Sequence, residues 1–328
     1  MTKFKVRDKI ISAFIIILQR TVLFPILQRL AWSDNATKAN IQKHGVDVIW
    51  SHYYSNIPSI IDIETSYEYT SDEPPYLDNN IFDINRLRVM LKDLTKYSAE
   101  FNPPIDGDED NCQKFFWKNS QYSFSDAMSY YCFIRMIQPK SIVEIGSGFS
   151  TLIAIEAVEK NRVGQIHCIE PYPRQFLKEE KKISLHASKA QEIDSEFLND
   201  ILTDGDILFI DSTHTVKTGS DCLHIYLRML PKIRRNIYVH VHDVYLPFGM
   251  PKEWLLNRQI FWTEQYLLLA FLIDNPKASL LYSSVFSAKW HNDMMKAIMG
   301  NKYPIGGGSV WFKYNGNTDG NSLSLPGL

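Results

Sequence analysis

The sequence predicts an α/β protein built on a mainly parallel sheet, and two observations carry that expectation. After Pro139 short β-branched runs alternate with amphipathic stretches, the texture of strands each followed by a covering helix. Polar residues then gather just past those runs, where ligands sit in open parallel sheets. Strands are expected at Ser141–Ile145, Gln165–Ile169, Ile183–His186, Asp206–Ile210, Asn236–Val241, Ser279–Val285 and Ser309–Lys313. Helices are expected at Thr151–Lys160, Ser220–Leu230 and Trp262–Ile273.

The region before Pro139 reads differently. Lys3, Lys5, Arg7 and Lys9 precede an apolar run from Ile10 to Leu18, and a second apolar stretch is broken at Pro25. The run is shorter than the roughly 20 residues that span a bilayer, and no small-residue cleavage site follows it. Residues 1–32 are therefore expected to form a basic-apolar helix that packs on the body, lies on a membrane surface or binds a partner. Residues 33–119 are expected as an accessory or lid region with loops at 52–60, 70–80 and 102–111, where prolines forbid helix. Within it Leu87, Met90, Leu91 and Leu94 recur at helical spacing between Ile84 and Glu100. Ser125 or Asp126 can cap a further helix running to about Ile137. The principal domain is expected over 120–314, with a flexible tail at 315–328.

Composition narrows the function. The 328 residues are 45% hydrophobic and 22% charged, with 35 basic against 37 acidic side chains and a formal charge of -2. That is ample material for a core, and it gives no basic bias toward nucleic acid. The four cysteines show neither CxxC nor zinc-finger spacing, which fits buried thiols in a reducing cytoplasm.

Four strand ends carry the chemistry. The first ends in EIGSGFST (144–151), where Gly146 and Gly148 let the backbone bend toward a ligand. Glu170 closes the second strand, near the roughly 20-residue spacing at which an acid bonds a ribose diol. Together they point to an adenosine-type ligand. The dinucleotide fingerprint needs glycine where this chain has Thr151, and no GK[ST] follows for a triphosphate, so a nucleoside without a pyrophosphate is favoured. The fourth and fifth strand ends bring Asp211, His214, His242 and Asp243 toward one place. His240 is read as a core or surface residue, and Lys217 as the start of a helix or a site residue.

VEIGSGFST, HCIEPYP, ILFIDSTHTVKTGSD and VHVHDVYLP resemble the class I S-adenosylmethionine-dependent methyltransferases. Within them they are similar to a bacterial subgroup of macrolide-sugar O-methyltransferases and cephalosporin-hydroxylase-like proteins. The resemblance covers about 126–312. It implies a Rossmann-like methyltransferase sheet of seven strands with a reversed last strand. It also implies that Glu144, Gly146, Ser147 and Gly148 line the methionine and ribose portion of S-adenosylmethionine, that Glu170 holds the ribose hydroxyls, that Ala187 and Ser188 flank the adenine, and that Asp211 borders the cofactor.

In those relatives acids at the positions of Asp211, 242 and 243 bind a divalent metal, and a histidine at the position of His214 is the base. The chain departs in having His242 there, which favours manganese, iron or zinc over magnesium. The implied activity is O-methylation of a small-molecule or glycan hydroxyl, with His214 as base beside Asp211 and Asp243. At its ordinary pKa, roughly 6.5, that histidine accepts a proton at neutral pH. A nicotinamide-dependent oxidoreductase and a non-catalytic, membrane- or partner-associated protein are the alternatives. Loop aromatics before residue 125 and the segment YLPFGMPKEWLLNRQIFWTEQ after Asp243 are expected to cover the pocket and select the acceptor.

Overall fold

The computed structural model describes residues 15–110, 112–122 and 124–317. Two compact units divide between Glu64 and Thr65, not at the expected boundaries after 32 and 119. The first holds a helix over Ile15–Ala31, wound as a π-turn at Gln19–Leu23, and a second helix at Asn35–Gln42. Asp34 starts the latter by accepting the Thr37 N–H, satisfying one of the orphan donors of a first turn. The basic residues expected at the start of the N-terminal helix lie outside the described residues. Among the described residues no single helix is long and apolar enough to cross a membrane, although Ile15–Ala31 and Asn35–Gln42 together pass on length and composition with a 110° bend between them.

In the second unit, seven strands form one sheet: β1 (Ser141–Ile145), β2 (Gln165–Ile169), β3 (Ile183–His186), β4 (Ile207–Ile210), β5 (Asn236–Val241), β6 (Ala278–Ser283) and β7 (Val310–Asn315). Their order is β3-β2-β1-β4-β5-β7-β6, with β1 to β5 parallel and β7 antiparallel to both neighbours. This is the Rossmann-like, mainly parallel seven-stranded sheet expected from the sequence, with its last strand reversed. β1 is buried along its whole length, as expected of a parallel strand covered on both faces. Ile142, Ile166, Ile207 and Phe209 pack under the helices Phe124–Ile137 and Phe149–Asn161. Val143, Ile145, Leu208 and Val239 face the opposite layer with Leu198, Met229 and Leu268.

Local differences from the sequence reading have identifiable causes. The Phe124–Ile137 helix begins at Phe124, so Ser125 and Asp126 stand inside its first turn and do not cap it. Val285 leaves the sheet because Ser283 caps a helix over Ser284–Trp290, accepting the Phe286 N–H. The expected Ser220–Leu230 helix is a short α-turn at Asp221–His224 that continues as a π-turn. β7 runs on to Asn315, so the expected tail begins inside the sheet. The helix Ile84–Ser98 buries Leu87, Leu91 and Leu94, and Phe101, Phe115, Phe116 and Trp117 are core residues. The stretch 65–119 is thus part of the body and not a detached lid region.

The chain winds outward from β1 through β3 and returns at β4, which leaves a crevice between the ends of β1 and β4. Gly146 sits in that crevice at φ +86°, and a Cβ there would lie 1.8 Å from the Asp211 carbonyl oxygen. Gly148 is in extended backbone, and the nearest atom to an added Cβ is Gln121 Oε1 at 3.9 Å. Gly146→Ala should therefore destabilise the protein by more than ~1–3 kcal/mol, while Gly148→Ala should change stability by under about 0.5 kcal/mol. Urea unfolding of the two variants checks this, and equal midpoints would contradict the assigned bend.

Candidate active site

A cavity of about 600 Å³ opens over the ends of β1, β2, β4 and β5. Gly146, Ser147, Gly148 and Glu170 line one end, and Asp211, His242, Asp243, Tyr245, Trp254, Arg258 and Trp262 line the rest. Glu170 and the bend are joined directly, because the Ser147 N–H donates to Glu170 Oε2 at 3.3 Å and the Gly146 N–H donates to the carbonyl of Ile169 at 3.0 Å. The other oxygen of Glu170 accepts the Tyr172 N–H at 2.8 Å, which fixes the carboxylate at the rim.

Three residues expected at the cofactor stand elsewhere. Glu144 does not line the cavity: alternation along β1 puts it on the side of Ile142, fully buried beneath the helices. There it accepts the hydroxyls of Tyr130, at 2.9 Å, and Thr151. Burial lifts its pKa to about 7, against the pull of those hydroxyls. Thr151 thus has a structural partner at the position where a dinucleotide fingerprint would need glycine. Ala187 and Ser188 follow β3 and are likewise outside the cavity lining.

At the other end four carboxylates surround two imidazoles. His214 is 5% exposed, and its Nδ1 lies 2.8 Å from Glu264 Oε2. Its Nε2 faces Asp211 at 3.3 Å and Asp243 at 3.7 Å. The His214 carbonyl also accepts the N–H groups of Thr263 and Glu264, so the backbone that holds the ring starts the helix that carries Glu264. His242 stacks on Tyr122 with ring centroids 4.4 Å apart, its Nδ1 3.2 Å from Asp211 and its Nε2 3.6 Å from Asp126. Asp126 in turn accepts the Ser284 hydroxyl at 2.8 Å and the Gly308 N–H at 3.0 Å. A Cβ on Gly307, at φ +99°, would fall 2.3 Å from the Asp126 carboxylate.

The electrostatics follow from this packing. For His214, burial disfavours the charged ring, but Asp211 and Glu264 outweigh it and push the pKa up to about 10. The resting ring therefore carries its proton, a correction to the ordinary value expected from sequence. His242 is also raised well above an ordinary histidine, burial being overcome by Asp243, Asp211 and Asp126. Asp211 is held below the usual carboxylate range because both imidazoles outweigh its burial, whereas burial raises Asp243. His240 is a core residue, with Nε2 3.0 Å from the Ser309 hydroxyl and its ring stacked on Trp311.

The expected metal set changes too. Asp211, His214 and Asp243 offer ligand atoms all within 4.8 Å of one another, and His242 is not of that group. Sequence reasoning missed the site roles of Asp126 and Glu264 and the Gly307-Gly308 turn. The three consecutive glycines at 306–308 were the one visible signal, since the others come from helices and loops far along the chain.

Residues 143–244 match the family model described as a methyltransferase domain, and they carry the bend, Glu170 and the ends of β4 and β5. An uncharacterized protein of Archaeoglobus fulgidus is 34% identical over 134 residues, which are 39% of this chain and 59% of that protein. The chain thus spans less than two thirds of the length of this curated relative. Among solved structures, a putative O-methyltransferase from Klebsiella pneumoniae matches at 13% identity, covering 69% of this chain and 89% of that one with a TM-score of 0.35. The O-methyltransferase from Bacillus cereus in complex with SAH matches at 10% identity, covering 69% and 90% with a TM-score of 0.36.

Removing the acid that faces His242 Nε2 leaves a buried imidazolium short of its counter-charge. Asp126→Ala is expected to cost about 3 kcal/mol or more at neutral pH. Denaturant titration measures it, and a loss below about 1 kcal/mol would show that His242 is not held as a cation.

Proposed function

We propose that the chain is a class I S-adenosylmethionine-dependent methyltransferase acting on a hydroxyl of a small molecule or glycan. The carrying observation is the Glu170 carboxylate lying against the Ser147 N–H, with a continuous cavity from there to Asp211 and Asp243. Each oxygen of Glu170 accepts one backbone N–H and keeps a second lone pair with which to accept a ribose hydroxyl. Gly146, Ser147 and Gly148 offer backbone to the methionine end, and Asp211 borders the sulfur. The resemblance to the macrolide-sugar subgroup supports a sugar-like acceptor.

The donor is already activated, so the protein's tasks are to align the acceptor and to take its proton. Alignment can contribute on the order of 7–11 kcal/mol, and a positioned base about 10²–10⁴-fold. His214 Nε2 is the proposed base once the resting ring has released its Nε2 proton to solvent, with Glu264 fixing the ring through Nδ1. Positive charge arriving beside Asp211, such as the sulfonium of the donor, opposes the attraction that keeps the resting proton on this ring. A divalent cation fits between Asp211 and Asp243, where it would acidify a bound hydroxyl. His214 could complete that set only by giving up its role as base, and the base role is the one proposed. The proposed location is the cytoplasm, supported by four free, buried cysteines.

Titration calorimetry with S-adenosylmethionine and S-adenosylhomocysteine should show binding that Glu170→Ala weakens about 10–100-fold, the loss expected for hydrogen bonds to a charged group. No heat at millimolar ligand would remove the proposal. With tritiated donor and a panel of hydroxylated small molecules, His214→Ala should lower methyl transfer by 10²–10⁴-fold and leave manganese binding intact. Loss of manganese binding in that variant would make His214 a ligand instead.

A membrane-surface role for residues 1–32 is a separate proposal, favoured by one observation. Ile15–Leu18, Val22, Leu23, Phe24, Ile26 and Leu27 are all exposed on one helix, and Lys3, Lys5, Arg7 and Lys9 precede it in sequence. Full-length protein should float with anionic liposomes, and a version lacking residues 1–32 should not; equal flotation of the two would sink the idea.

A further inference from the structure

The acceptor end of the cavity has a wall made of rings. Tyr245 and Trp254 meet edge to face at 5.4 Å, Trp254 and Trp262 at 5.5 Å, and Trp262 lies 4.4 Å from the His214 ring. The sequence holds this wall by winding Trp254–Arg258 into a π-turn, closed by Gln259 in the left-handed region at φ 54°, whose N–H returns to the Trp254 carbonyl. Single π-turns recur at functional sites because they re-aim side chains. Here the turn carries Trp254 and Arg258 to the same cavity, with the guanidinium 5.3 Å from the indole centroid.

The charges along this surface run in opposite directions. Its floor holds Asp211 and Asp243, which repel an anion. Among the lining residues the permanent cations are Arg174 and Arg258. Arg174 lies over the Phe149 ring at 4.9 Å, beside the bend. Arg258 has no carboxylate partner among the described residues and stands on the aromatic wall that leads to His214.

We propose that this wall is a subsite for an acceptor with a flat face and an anionic group, a carboxylate or a phosphate. The flat face lies on Trp254 and Trp262, the anion pairs with Arg258, and the hydroxyl to be methylated points toward His214. This rests on the methyltransferase reading and adds the chemical class of the acceptor. A planar guanidinium suits both anions through paired N–H donors, and charge-assisted bonds of this kind are roughly twice as strong as neutral ones. The acidic floor keeps the anion from binding in reverse, so the same two charges set the acceptor's direction.

The test is tryptophan-fluorescence titration of the full chain, with S-adenosylhomocysteine present, using matched pairs: 3,4-dihydroxybenzoate against 3,4-dihydroxybenzamide, and glucose 6-phosphate and glucuronate against glucose. The anionic member of at least one pair should bind at least about tenfold more tightly than its neutral partner. Arg258→Gln should abolish the preference and Arg258→Lys should retain part of it, with circular dichroism confirming that both variants fold. Equal affinity within every pair, no binding by any compound, or a preference that survives in Arg258→Gln would each overturn the proposal. Calorimetry with S-adenosylhomocysteine alone keeps the two readings apart: failure there strikes the methyltransferase assignment, whereas failure of the pairs beside intact S-adenosylhomocysteine binding strikes only the acceptor subsite.

Discussion

The site depends on a charge constraint. Asp126, Asp211, Asp243 and Glu264 crowd two buried imidazoles, and charges taken out of water cost several kcal/mol each unless paired. The imidazoles answer this by holding their protons, which is why His214 and His242 are both raised. Two positive rings still leave the cluster acidic where it faces the cavity. An approaching cation is therefore attracted to the place where Asp211 and Asp243 meet. A positively charged donor and a divalent cation have that property in common, and a pyrophosphate lacks it.

The constraint also ties the fold together. Asp126 comes from the Phe124–Ile137 helix, Asp211 and Asp243 from the ends of β4 and β5, Glu264 from the Glu264–Leu272 helix, and the Gly308 N–H from the turn before β7. His214 and Asp243 both adopt positive φ, at 56° and 54°, a conformation that costs a non-glycine residue energy unless its surroundings hold it. For His214 the holding contacts are visible: its ring and its carbonyl both engage the start of one helix. The strained backbone and the buried charge are thus two parts of one arrangement.

This explains which features were legible in the sequence. Short β-branched runs bounded by turn residues mark strands, so β1, β2, β3 and β5 could be read to the residue, whether fully buried like β1 or at the sheet edge like β3. The bend and Glu170 were legible because a strand end, a glycine and an acid at fixed spacing are local events. Glu144 was misassigned because a motif gives its position and not its face; alternation on β1 turned it into the interior. Val285 was misread because β-branched residues favour strands until a cap such as Ser283 starts a helix. Asp126 and Glu264 had no local signature, since what makes them part of the site is their contact with rings 116 and 50 positions away.

The two halves of the cavity differ in how they are built, and the difference bears on what each can do. The half proposed for the donor is made from strand ends and a bend, and within it Gly146 is locked against the end of β4. The half proposed for the acceptor is made from the segment 245–262, which crosses the opening with a left-handed residue, a π-turn and the rings of Tyr245, Trp254 and Trp262. Its rings meet edge to face, and Trp262 lies beside His214. Function is therefore not set by the fold alone. Under the proposed reading, the sheet fixes where a methyl group would be delivered, and the wall of rings with Arg258 at its edge would select which hydroxyl is brought to meet it.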